Sequence, residues 1–220
     1  MLNLLVVLTR NAVTFCSFII INIKLRSEAL QQRQLSKSQI QEEYLLVQAA
    51  QREPQRFGVL YERYYRQIFV FIYKRIDEEE QTADICSQVF LKAMLNLKKY
   101  KFKGVPFSAW LYRIAINEVN QFFRKAQHKR AISMERANIG EIMDEVEEKD
   151  TEENIQLMLK AMQLMSADDV QMIELRYFEK LPFKEIAEVY NITENNAKVR
   201  MYRILGRLKK AMEKVQKQLV

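Results

Sequence analysis

Apolar side chains recur at helical spacing through most of this chain. In "DICSQVFLKAMLNLKKY", Ile85, Cys86, Val89, Phe90, Ala93 and Leu97 fall on one side of a helix of period 3.6. The next apolar series, Phe107, Leu111, Ile114, Ala115, Val119 and Phe122, predicts a second helix. Its other face carries Arg113, Asn117, Asn120 and Arg124 at spacings of four, three and four. The connector "KFKGVPFSAW" between them holds the helix breakers Gly104 and Pro106. Further on, Ser166-Ala-Asp-Asp has capping spacing ahead of "VQMIELRYF", where Val170, Ile173 and Tyr177 repeat helically. Pro182 suits the first turn of "FKEIAEVY", which puts Phe183, Ile186, Ala187 and Tyr190 on one face. "NIT" predicts a short turn: Asn191 tolerates a left-handed backbone, Ile192 plugs the gap between helices, and Thr193 caps the last helix. In that helix Ala197, Met201, Ile204, Leu205, Leu208 and Met212 form an apolar stripe. Roughly opposite lie Asn196, Val199, Arg200, Arg203, Arg207, Lys210 and Lys214.

The pattern predicts an all-α protein of two small helical domains joined by an acidic flexible linker. The divisions fall at 1–24 (apolar), 25–41 (polar, Gln-rich lead-in), 42–130 (first domain), 131–154 (acidic linker) and 155–220 (second domain). The apolar stretch 1–23 is about long enough to span a bilayer. Arg10 near its centre would cost roughly 2.5–3.5 kcal/mol there. It reads as a membrane tether, as a helix packed on the rest, or as residues translated from a start site assigned too early; the last is the preferred expectation.

Composition narrows the class. Only 4 Gly and 3 Pro among 220 residues leave too few turns for an all-β or Rossmann-type fold. The 2 Cys and 1 His exclude a zinc site built from them and fit a reducing cytoplasm; Cys86 reads as core. No Gly-rich phosphate loop, metal cluster or nucleophile with a base partner is present, so an enzyme is not expected, nor a cofactor. The formal charge of +7 points to a polyanionic partner. That charge is partitioned. Residues 98–130 carry nine Lys or Arg against one acid, and 195–217 carry eight against one; 132–153 reverses the sign with nine acids against two bases. Two basic blocks, each tied to a patterned helix, read as two DNA-binding modules rather than as solvated faces alone.

Helix, short turn and a helix with a basic outer stripe form the layout of a helix-turn-helix, whose second helix enters the major groove. Asn195, Asn196, Val199, Arg200 and Arg203 are the candidates for base edges, and Lys198, Arg207, Lys209 and Lys210 for phosphates. In the connector, Phe102, Phe107 and Trp110 alternate with Lys99, Lys101 and Lys103, which suits rings stacking on unpaired bases beside ammonium groups on phosphates. For Phe107 and Trp110 an ordinary core position is an equal reading. His128 falls in an exposed basic tail and has no catalytic context.

Two stretches resemble a known family. "LRYFEKLPFKEIAEVYNITENNAKVRMYRILGRLKKAM" is similar to domain four of the extracytoplasmic-function subfamily of bacterial RNA polymerase sigma factors. It matches that motif at Leu181, Glu185, Ile186, Ala187, Asn191, Ile192, Thr193, Asn196, Ala197, Lys198, Arg200 and Arg203. "REPQRFGVLYERYYRQIFVFIYKRI" and "TADICSQVFLKAMLNLKKYKFKGVPFSAWLYRIAINEVNQFFRK" resemble sigma domain two. The resemblance implies that Asp84, Ile85, Gln88, Phe90 and Lys92 dock core polymerase at the β′ clamp helices, with domain four on the β flap. It implies that Lys101, Phe102, Lys103, Phe107, Trp110, Arg113, Asn117, Asn120 and Arg124 seize the downstream promoter element as single strand. The upstream element falls to Asn195, Asn196, Lys198, Val199, Arg200, Arg203 and Arg207, as duplex. The implied partners are core RNA polymerase, promoter DNA and an anti-sigma factor, with membrane contact only through residues 1–23. A helix-turn-helix regulator that binds duplex DNA without joining polymerase would explain the last block equally well, but not the connector. A membrane-tethered interaction protein would rest on residues 1–23 alone.

Overall fold

The computed structural model describes residues 35–126, 136–148 and 151–219. The apolar segment 1–24, with Cys16, and the tail holding His128 lie outside them. Among the described residues every regular element is helical, as the all-α expectation required. None of these helices is long and apolar enough to cross a membrane. The chain divides into two compact units, residues 1–132 and 133–220.

In the first unit, α1 (Lys37–Arg52) begins earlier than the predicted domain start at 42. A capping box explains the difference: Ser36 Oγ accepts from Gln39 N at 3.3 Å, and Gln39 Oε1 accepts from Ser36 N at 2.8 Å. The S-x-x-Q spacing was the available signal inside the polar lead-in. α2 (Phe57–Ile76) buries Leu60, Ile68, Phe69, Phe71 and Ile72, and ends at Asp77 in the left-handed region. α3 (Glu79–Asn96) opens on Glu79 and Glu80, whose charge favours a helix N-terminus. Its buried face is the predicted one, with Ile85, Cys86, Val89, Phe90 and Ala93 turned inward and Leu97 following. α4 (Phe107–Ala126) buries Phe107, Leu111, Tyr112, Ala115 and Val119; Ile114 and Phe122 are only half-buried. Helices α2, α3 and α4 pack on one another around this core.

The second unit corrects the predicted linker. Within the acidic stretch, α5 (Arg136–Glu145) buries Ile142 and Met143 completely, together with Ile139 and Val146. Four apolar residues at helical spacing outweigh the surrounding acids, which stay on the outside. α6 (Glu152–Gln163) starts at Thr151, whose Oγ1 accepts from Asn154 N at 3.3 Å. α7 (Ala167–Ile173) has the predicted Ser166 cap, at 3.2 Å to Asp169 N, and widens into a π-helical turn at Glu174–Phe178. α8 (Phe183–Tyr190) ends as expected at a left-handed Asn191, φ 53°. The end is a Schellman arrangement, with Ile192 N to Ala187 O at 2.9 Å and Asn191 N to Glu188 O at 3.2 Å. α9 (Glu194–Leu219) comes next, capped by Thr193, whose Oγ1 accepts from Asn196 N at 3.2 Å. It packs on α6 and α8 through the predicted apolar stripe, all six residues of which are buried.

Candidate nucleic-acid interfaces

The outer face of α9 is set by the geometry of its buried one. With Ala197, Met201, Ile204, Leu205 and Leu208 inside, the residues pointing straight out are Asn195, Val199, Tyr202, Arg203, Gly206 and Lys210. Asn196, Lys198 and Arg207 are exposed on its flanks. Tyr202 is 81 % exposed, the most exposed large apolar side chain among the described residues. By residue type it is a gap in a basic stripe, and charge patterning alone does not pick it out. Its place on the helical wheel, between Val199 and Arg203, is the signal that does.

Several cations of this helix already hold acids. Arg200 is half-buried: it pairs with Asp168, and its guanidinium lies 4.7 Å over the Tyr190 ring. Arg207 grips Asp169 with both arms of its fork, Nε–Oδ2 at 2.9 Å and Nη2–Oδ1 at 2.7 Å. Lys198 meets Glu194 at 2.8 Å, and Lys209 meets Glu147 at 2.9 Å. The Lys209 hydrogen bond holds the Glu147 carboxyl below the ordinary glutamate range. Arg200 therefore sits on the inner flank of the strip, against α8, instead of in the outward row expected of it. Its long apolar-faced guanidinium finds a ring and a carboxylate there, so it buttresses the turn as well as carrying charge.

In the first unit the connector 100–106 is a fixed loop. Gly104 has φ 68°, a conformation that a side chain would strain. Lys101 and Lys103 are exposed, and Phe102 is half-buried with its ring stacked on Tyr44 at 4.3 Å and 13°. Of the two readings open for Phe107 and Trp110, the structure has the core position. Phe107 is 1 % exposed and Trp110 7 %, and both lock against Tyr100 at 5.2 and 5.1 Å. Apolar rings beside a breaker-rich turn were drawn into the core, because burying their surface outweighs what a solvated loop offers. On α4, Asn117, Asn120 and Arg124 are exposed and Arg113 half-buried. The one acid of this segment, Glu118, is taken up by Lys92 at 2.6 Å to each oxygen.

That bond also revises the docking set on α3. Lys92 staples α3 to α4, while Ile85 and Phe90 belong to the core. Asp84 and Gln88 are exposed. They continue along one face to Leu91 and to Leu95, which is 67 % exposed. Neither leucine is among the expected docking residues. The spacing of both from Asp84 and Gln88, at multiples near 3.6, is the signal that places them on that face.

Sequence and structure comparisons agree with this layout. The Sigma-70 region 2 family matches residues 60–129, and the Sigma-70, region 4 family matches residues 155–208; together they cover more than half of the chain. The ECF RNA polymerase sigma factor BldN of Streptomyces coelicolor is 28 % identical over 171 residues, 74 % of this chain and 63 % of that protein. The chain thus spans under two thirds of BldN. It spans 87 % of the ECF RNA polymerase sigma factor SigX of Bacillus subtilis, at 22 % identity over 74 % of this chain. Among solved structures, CnrH in complex with the cytosolic domain of CnrY superposes with a TM-score of 0.50 at 16 % identity, covering 78 % of this chain and 97 % of that one, which is a likeness of fold. A region 2 unit and a region 4 unit, in that order and each with its basic helix, make this chain a member of the extracytoplasmic-function sigma factors, the subunits that direct RNA polymerase to promoters.

Proposed function

We propose that the protein grips a promoter in two places by different chemistry. The outward row of α9 reads the upstream element as duplex: Asn195, Asn196, Val199, Tyr202 and Arg203 meet base edges, and Lys198, Arg207, Lys209 and Lys210 lie along phosphates. Arg200 keeps a supporting contact from the flank. In the first unit, Lys101, Phe102 and Lys103 with Arg113, Asn117, Asn120 and Arg124 hold the downstream element as single strand. An unpaired base exposes the edge that pairing hides, so capture and melting are one event. Phe107 and Trp110 support that surface from beneath.

Core polymerase docks on the α3 face of Asp84, Gln88, Leu91 and Leu95, polar at one end and apolar at the other, at the β′ clamp helices; the region 4 unit takes the β flap. An anti-sigma factor is the inhibitory partner that family membership implies. The action is binding, with no covalent step, and its place is the cytoplasm, where polymerase works. Membrane contact through residues 1–23 lies outside the described residues.

The observation that carries the reading is the exposed row on α9, set opposite a fully buried apolar stripe. Run-off transcription tests it: the protein, added to core polymerase on the region upstream of its own gene, should yield a transcript of defined start. A plain duplex-binding regulator would retard that DNA without polymerase and start nothing.

A further inference from the structure

Helix α1 lies outside the residues matched by either sigma-70 region, yet it reaches the loop 97–107 at three points. Glu43 Oε2 accepts from Phe107 N at 2.7 Å. Gln51 Nε2 donates to Leu97 O at 2.9 Å and to Tyr100 O at 3.1 Å. The Tyr44 ring covers one face of Phe102. Residues 43, 44 and 51 fall on one side of α1, around the buried Val47 and Ala50.

Each polar contact falls on a backbone group at one end of the loop. Phe107 N begins α4, and the first amides of a helix have no partner inside it. A side chain from 64 residues upstream fills the capping role. Leu97 and Tyr100 bracket the other end of the same loop, and one amide holds both. The loop is therefore pinned at its start, its middle and its end by a helix that presents none of the candidate DNA contacts.

The choice of a carboxylate is informative. Glu43 is 2 % exposed, its Oε1 has no hydrogen-bond partner, and the nearest cation, Arg63, stands 3.8 Å away. Burying a half-satisfied carboxylate is a poor way to gain stability, and an apolar side chain of similar size would avoid the desolvation. What the carboxylate supplies is a fixed point for the first amide of α4.

We infer that α1 is a positioning element of the downstream interface, with Glu43, Tyr44 and Gln51 fixing the presentation of Lys101, Phe102 and Lys103. The inference rests on the single-strand role proposed for that loop. Base preference in the downstream element then depends on a helix that does not touch DNA.

The full chain with core polymerase tests this on templates randomised over the downstream element and first selected for transcription by the wild-type protein. Sequencing the transcripts gives base preference position by position. Glu43→Leu and Gln51→Ala should each flatten the preference at one or two positions by about tenfold, the weight of a single mismatched position. Glu43→Gln, whose amide oxygen can still accept from Phe107 N, should keep it. Core binding and the thermal midpoint, read on the same samples, separate this from loss of fold. A double variant, Lys101→Ala with Lys103→Ala, is the loop control. If it flattens the preference while Glu43→Leu and Gln51→Ala do not, α1 is scaffold and the inference is overturned. A Glu43→Gln protein as indifferent as Glu43→Leu would overturn the role given to that hydrogen bond. An inert loop control would instead sink the single-strand role of the loop, and the inference with it.

Discussion

Tyr202 shows how much a single wheel position decides. Its neighbours Met201 and Ile204 are buried, yet Tyr202 itself is 81 % exposed at the crest of α9. An aromatic there combines a face for a thymine methyl with a hydroxyl for a polar base edge. Replacing Tyr202 or Arg203 by Ala should cost roughly 1–3 kcal/mol in binding to the upstream duplex. The Arg203 loss should also relax specificity at one base position, and titration of labelled duplexes carrying each base there measures both. Glu43 makes a different prediction, about pH. Burial raises its carboxyl above the ordinary glutamate range, against the lowering pull of the Phe107 amide and Arg63. The folded state then holds the proton at pH values where the unfolded chain releases it. The stability this group contributes is full below the ordinary glutamate range and is lost as pH rises through its raised value. Stability relative to Glu43→Gln should therefore rise as pH is lowered from neutral toward that range, in paired urea titrations. A difference that stays flat would mean the carboxylate is not desolvated as the structure has it.

At the scale of elements, acids on α7 face cations on α9. Asp168 and Asp169 sit in the first turn of α7, where a negative charge favours the helix, and they also hold Arg200 and Arg207. Changing both to Asn should cost about 0–1 kcal/mol at Asp168, which is exposed, and about 1–3 kcal/mol at Asp169, whose carboxylate is mostly buried in its fork with Arg207. It should tighten duplex binding at low salt and steepen the salt slope, by up to roughly 0.9 for each phosphate newly met. Unchanged affinity would show that the arginines leave their acids without cost when DNA arrives. Helix α5 carries the opposite lesson about legibility. The helix-turn-helix was readable because capping residues, a turn and two stripes all agreed: Ser166, Asn191 and Thr193 act as their chemistry requires. Across 131–154 the signals conflicted, with nine acids in 132–153 masking the spacing of Ile139, Ile142, Met143 and Val146. Net charge describes what faces water, and here it hid a short amphipathic helix. Ile142→Ala should destabilise the second unit by about 2–5 kcal/mol, the range for emptying a packed core site. A surface linker would show almost nothing in the same thermal scan. The face of α3 proposed for docking was half legible for a related reason: a motif names positions, whereas burial decides which side of the helix each one takes.

In the proposed function the molecule as a whole binds one promoter through two units, and their interactions would enter at different stages. The contacts proposed for α9 on duplex DNA would be present before and after the strands part, so they would deepen both states alike. The contacts proposed for the loop and the polar stripe of α4 would exist only once a base is unpaired, so they alone would shift the balance toward opening. This is the distinction between uniform and differential binding. It separates two variants that would look similar in a single assay. Arg203→Ala should weaken promoter occupancy at low holoenzyme concentration, and the defect should fade as holoenzyme is raised to saturation. Asn117→Ala should leave a deficit in open complexes that saturation does not remove. On a template already unpaired across the downstream element, opening no longer limits either protein. There the Asn117→Ala deficit should disappear at saturation, because the remaining loss is one of affinity alone. Permanganate footprinting of unpaired thymines reads opening on duplex DNA, and transcript yield reads the pre-opened template. An Asn117→Ala protein that recovered fully on duplex DNA at saturation would place that residue among the uniform contacts and remove the single-strand role from α4.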